Sequence, residues 1–106
     1  MEIAEISALL QKLSNAHGIS GFESSVAKII REEIAQYVDE IRTDKMGNLI
    51  AVKNGDNFSI MLAAHMDEIG LMVQYVDEHG FIRFVAVGGW FNPVLVSQRV
   101  LLHGEK

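Results

Sequence analysis

Apolar residues in the first part of the chain recur at helical spacing. Ile3, Ile6, Leu9, Leu10, Leu13 and Ala16 lie three and four positions apart, which places them on one side of a helix. The spacing predicts a helix from Ile3 to Ala16. His17 suits the negative end of that helix, and Gly18 is expected to close it in the left-handed C-cap conformation. Ser20-Gly21-Phe22-Glu23 has the S-x-x-E spacing of a capping box, so a second helix is expected to start there. Its apolar stripe is Val26, Ile29, Ile30, Ile34, Tyr37 and Val38, and it should end near Asp39.

After Asp39 the period changes from helical to extended. Two short β-rich runs, Ile41 to Thr43 and Leu49 to Lys53, flank Asp44-Lys45-Met46-Gly47-Asn48, a segment whose Gly and Asn tolerate the positive φ of tight turns, so a hairpin is expected. Asn54-Gly55-Asp56-Asn57 is a second turn signal. The mostly apolar run from Phe58 to Ala64 that follows it has the length and bounds of an interior strand. Leu71 to Val76 and Phe81 to Val87 are two further strands, joined by Asp77-Glu78-His79-Gly80 and stopped by Gly88-Gly89. From Val94 to His103 the chain is apolar except at Gln98 and Arg99, and it shows no closing helix or cap, as expected of a piece cut from a longer chain. Two helices followed by five or six strands indicate an α/β class, with the strands beyond Gly70 belonging to a separate sheet.

Composition narrows the function. The 106 residues make at most one ordinary domain. Nine Lys and Arg against fourteen Asp and Glu leave a net charge of −5, without a basic block, so nucleic acid and anionic membrane surfaces are not expected partners. Phe84 to Gln98 is the longest stretch free of charged residues, and it is shorter than the ~20 apolar residues of a spanning helix. Glu2 and Glu5 carry the wrong sign for the basic start of a signal peptide. The chain has no cysteine, which excludes disulfides and thiolate metal sites. The expected location is cytoplasmic, and any metal must be held by His and carboxylates.

Ionisable groups cluster at the end of an apolar run in one place, His65-Met66-Asp67-Glu68. Strand ends are where ligands bind in open sheets, because side chains there leave the packed layer while still being held by it. In extended chain His65 and Asp67 point to the same side, their Cα atoms about 6.6 Å apart. An aspartate that accepts the Nδ1 proton fixes the histidine tautomer and frees Nε2 for a cation. A hydrogen-bonded structural histidine has the same spacing, and spacing alone leaves both readings open. Glu68 reads as a solvated loop carboxylate, and His17 and His79 as surface residues in turns. His103 has only Glu105 near it at ligand spacing. Gly88-Gly89-Trp90 lacks the pattern of a phosphate loop. A serine hydrolase built on His65 and Asp67 would need a serine brought close by folding, since none lies in a G-x-S-x-G elbow.

Six short motifs in order resemble the N-terminal portion of the tetrahedral (TET), glutamyl-aminopeptidase-like family of co-catalytic dimetal aminopeptidases. They are Ser20-Gly21-Phe22-Glu23, Asp44-x-x-Gly47-Asn48, Ala64-His65-Met66-Asp67-Glu68-Ile69-Gly70, Gly80-Phe81-Ile82, Gly88-Gly89-Trp90 and Gln98-Arg99-Val100. Phe91-Asn92-Pro93 and Ser97 depart from the family pattern. The resemblance implies that His65 ligates one of two divalent metal ions, zinc or cobalt, and that Asp67 is the catalytic-site aspartate orienting it. It implies that the general base and the other ligands come later than position 106. It further implies that residues 1–70 open a zinc-aminopeptidase-type α/β sandwich, and that residues 71–106 begin an inserted PDZ-like β-barrel dimerisation domain. The substrate class would be short peptides. The partners would be further copies of the chain, in dimers that build a dodecamer, or a complementing C-terminal chain. On this expectation the chain alone is inactive and does not bind metal tightly. The alternative from another class is a non-catalytic oligomerisation subunit that associates through exposed strands.

Overall fold

A computed structural model describes residues 2–104. It contains two helices and two small antiparallel sheets, and it divides into two compact units, one running to Glu68 and the other starting at Ile69. Among the described residues no helix is long and apolar enough to cross a membrane.

In the first unit, α1 spans Ile3–Ser14 and α2 spans Ser24–Ile34, followed by a 3-10 turn at Ala35–Tyr37. Glu5 reaches back to the Glu2 amide at 2.7 Å, so the two acidic residues at the start of α1 form its capping box. Helix α1 ends two residues earlier than its periodicity predicts, with Asn15 in right-handed helical conformation at the C-cap. Gly18 therefore does not close the helix. It is buried, and a Cβ there would lie 2.5 Å from Val26 Cγ2, so a glycine is needed for close approach. Val26, 7% exposed, is the buried apolar side chain among the described residues, and its contact with Gly18 is the packed centre of this unit. The helices are also joined by Lys12 and Glu33, 2.6 Å apart.

Ser20 does not cap α2. The N-cap residue is Glu23, three positions later, and the Glu23 carboxylate accepts the Gly21 amide at 2.7 Å instead of returning to Ser20. The Ser25 hydroxyl donates to the His17 carbonyl. From the other end of α2, Arg31 donates to Thr43 Oγ1 at 2.9 Å, which ties the helix to the strand that follows it.

That strand is β1, Glu40–Thr43, paired antiparallel with β2, Leu49–Val52, in the register Glu40↔Val52 to Thr43↔Leu49. In the second unit β3, Gly70–Val76, pairs antiparallel with β4, Ile82–Val87, and a bulge shifts the register between Val73 and Tyr75. Both hairpins turn on the same D-x-x-G device. Asp44 exchanges backbone bonds with Asn48 and Gly47, and its Oδ1 accepts the Met46 and Asn48 amides, each at 2.9 Å. Asp77 does the same with Phe81 and Gly80, its Oδ1 accepting the His79 and Phe81 amides at 3.0 and 2.9 Å. Gly47 and Gly80 have φ of +89° and +84°, as the last position of a three-residue hairpin loop requires. In the second unit Trp90 Nε1 donates to the carbonyls of Gly70 and Val87, at 2.9 and 3.1 Å, closing the base of the hairpin.

The interior strand expected from Phe58 to Ala64 is not formed. These residues have no ladder partner, and Phe58, Ile60, Met61 and Leu62 are 72–93% exposed. An apolar run becomes a strand only when neighbouring backbone takes up its N–H and C=O groups, and none of the described strands lies alongside it. The tail likewise carries only a short 3-10 helix at Asn92–Leu95.

Candidate functional site

Two segments of the first unit, the α1–α2 connection and residues 65–68, meet at His65 and Asp67. The Glu68 amide donates to the Gly18 carbonyl at 2.9 Å, the Gly18 amide donates to Glu68 Oε1 at 3.3 Å, and Ile19 and Glu68 form a parallel bridge. Glu68, exposed as expected of a solvated carboxylate, also fastens the α1–α2 connection against the segment that carries the histidine.

His65 Nδ1 lies 2.8 Å from Asp67 Oδ1 and 3.1 Å from the Asp67 carbonyl oxygen. Both partners are acceptors, so Nδ1 carries the proton, and in the neutral ring the lone pair sits on Nε2. The His65 side chain is 85% exposed and that of Asp67 36%, so the ring is held at one nitrogen and open at the other. The other oxygen of Asp67 accepts the Ser20 hydroxyl at 2.5 Å. This hydrogen bond first, and the one from His65 second, hold the Asp67 carboxyl below its ordinary pKa, because both favour the ionised form.

Two clefts border this pair. One of about 270 Å³ is lined by Leu13, Ala16, Val26 and Ile30 together with the His65–Glu68 segment. The other, about 500 Å³, lies between α2, the first hairpin loop and residues 64–67.

The arrangement is not a hydrolase triad. A serine is brought close by folding, but its proton goes to the carboxylate and not to the imidazole, so no base activates it. The donor chemistry instead suits a cation at Nε2. A divalent metal in a catalytic site takes about three protein ligands, and among the described residues no group of three His, Asp or Glu could hold one. The residues present therefore fit one ligand and its partner, not a whole metal site. His79 belongs to the second hairpin turn, and His17 lines neither cleft beside His65. Ser20 is the residue that sequence reasoning assigned elsewhere. Its S-x-x-E spacing pointed to a helix cap, and its partner lies 47 positions away.

Comparison with known proteins places the chain in a family. The M42 glutamyl aminopeptidase family matches residues 47–106, and the chain belongs to it. A protein described as a putative aminopeptidase from Acetivibrio thermocellus is 51% identical over 94% of this chain and 30% of its own length. The solved TET aminopeptidase of a marine-sediment Thaumarchaeota archaeon matches with a TM-score of 0.76 and 36% identity, over 83% of this chain and 25% of its own. A TET structure described as a dodecamer matches with a TM-score of 0.71 and 37% identity, over 84% of this chain and 26% of its own. The chain thus spans between a quarter and a third of the length of these relatives.

Proposed function

We propose that this chain is the N-terminal portion of a metal-dependent aminopeptidase that removes N-terminal residues from short peptides. The observation that carries the reading is His65 in a chain of the M42 family, with Nδ1 held by Asp67 and Nε2 exposed. His65 is a metal ligand and Asp67 orients it. Two divalent ions, zinc or cobalt, supply the chemistry when bound, lowering the pKa of a shared water and polarising the scissile carbonyl. The remaining ligands and the general base come from polypeptide outside this sequence, so the chain is inactive on its own.

Residues 1–70 are then the first segment of the catalytic α/β sandwich. Residues 71–106 begin an inserted PDZ-like β-barrel for dimerisation, with β3–β4 as its opening hairpin. Similarity to the dodecameric TET structure supports a dimer-based homo-oligomer, and the net charge of −5 fits a cytoplasmic protein that binds neither nucleic acid nor membrane. The test is release of the first residue of a short peptide by the complete enzyme and by this chain alone, before and after chelation and return of zinc. Metal-dependent release by the complete enzyme and none by the chain alone is expected, and release that survives chelation contradicts the proposal.

The exposed run from Phe58 to Leu62 favours one second reading, a non-catalytic oligomerisation subunit. It predicts self-association without complementation, and a monomer in a sizing measurement counts against it.

A further inference from the structure

We infer that Ser20 is a positioning residue for His65. By holding the second oxygen of Asp67, its hydroxyl fixes the tautomer and ring plane in which His65 presents Nε2 to a divalent metal. The inference rests on the ligand reading of His65 proposed above.

A carboxylate gripped at one oxygen alone retains freedom about its terminal torsion, which is broad and roughly two-fold. If Asp67 turned, its side-chain bond to Nδ1 would lengthen and only the longer contact to the Asp67 carbonyl oxygen, at 3.1 Å, would hold the proton on Nδ1; Nε2 is blocked whenever that nitrogen is protonated. Ser20 removes this freedom. Its Oγ lies 2.5 Å from Oδ2, within the range of a charge-assisted O–H···O⁻ bond, while His65 occupies Oδ1. The two oxygens of Asp67 are thus engaged from two different segments of the chain.

Ser20 is itself held by backbone. It is the second residue of a turn closed by the Phe22 amide donating to the Ile19 carbonyl at 2.8 Å. The third residue, Gly21, has φ +88°, the sign that a type II turn requires there. A Cβ on Gly21 would meet nothing within 4 Å, so glycine is needed for conformation and not for space. Glu23 accepts the Gly21 amide, and the bridge from Ile19 to Glu68 fixes the turn against the neighbour of Asp67. Ser20-Gly21-Phe22-Glu23 is therefore a clamp. Serine supplies the hydroxyl, glycine the turn and glutamate the tie, and the helix starts only after it.

The test compares the 106-residue chain with Ser20→Ala and Ser20→Thr. Nitrogen-detected NMR of the His65 ring without metal is expected to show the Nδ1–H tautomer in the parent and in Ser20→Thr, and a mixture of tautomers in Ser20→Ala. In the complete enzyme, zinc affinity read by competition with a chelator is expected to be about 10-fold weaker with Ser20→Ala, the low end of the loss when a partner of a ligating histidine is removed. Ser20→Thr should restore it. An unchanged tautomer and unchanged zinc binding in Ser20→Ala overturn the inference. If Ser20→Ala loses its helical circular dichroism, Ser20→Cys, with only a weak donor, is measured instead, and parent-like behaviour there is equally fatal. Zinc binding by His65→Ala equal to the parent's defeats the ligand reading and the metal half of this inference, whereas a tautomer that follows Ser20 sustains the positioning half.

Discussion

Gly18→Ala perturbs the packed centre of the first unit at one atom. The new Cβ would lie 2.5 Å from Val26 Cγ2, where carbon atoms normally stay about 3.5–4.0 Å apart, so the overlap is an ångström or more. Gly18 carries no positive φ, so alanine meets no backbone penalty and the whole cost is steric. Val26 cannot readily turn away, because a valine in a helix has one strongly preferred rotamer, and a shift of α2 disturbs the contacts made by Arg31. Overpacking of this kind costs about 1–3 kcal/mol. The cost should fall largely away in Gly18→Ala/Val26→Ala, since the second change deletes the clashing methyl. Urea unfolding followed by far-UV circular dichroism, run on both single variants and the double, gives the coupling. A favourable coupling close to the full cost of Gly18→Ala is expected. Additivity within about 0.5 kcal/mol, or a harmless Gly18→Ala, would refute the close approach.

Three further outcomes are expected. Gly47→Ala and Gly80→Ala should each destabilise their hairpin by about 1–2 kcal/mol, the cost of a left-handed L-residue, while Gly55→Ala, with no positive φ and open space around it, should be close to neutral in the same urea assay. The Asp44 carboxyl is held below its ordinary pKa, first by the side-chain bond from Asn48. Its contribution is therefore present above the unfolded value of about 3.9 and is lost as pH falls through the lower folded value; an NMR titration of Asn48→Ala should show the Asp44 pKa rising. Trp90→Phe removes a donor shared by two carbonyls and should cost about 1–3 kcal/mol, read as a lowered midpoint of the β3–β4 hairpin in hydrogen exchange.

What could be read from the sequence was local. The stripes of α1 and α2, the two hairpins and the approach of His65 to Asp67 all depend on residues within a few positions of one another, and period and turn chemistry expose such patterns. Helix α1 stops short of its periodic stripe, and Gly18 serves a contact with Val26 and not a cap. Helix α2 starts later than its S-x-x-E spacing implies because the Ser20 hydroxyl is committed to Asp67, and no local pattern reports a partner 47 residues on. The apolarity of the run from Phe58 to Ala64 suggests a strand, yet a strand is defined by neighbours, and local composition carries no information about whether they are present. Conversely, the D-x-x-G spacing shared by Asp44–Gly47 and Asp77–Gly80 was visible in the string, and only the structure shows that both aspartates do the same work.

On the proposed reading His65 acts through one atom, Nε2. Anomalous diffraction from the complete enzyme crystallised with zinc gives that atom directly. A zinc ion is expected about 2.0–2.1 Å from His65 Nε2, the usual Zn–N distance, with Nδ1 still bonded to Asp67. Zinc on Nδ1, or zinc bound elsewhere while His65 Nε2 faces solvent, would contradict that reading.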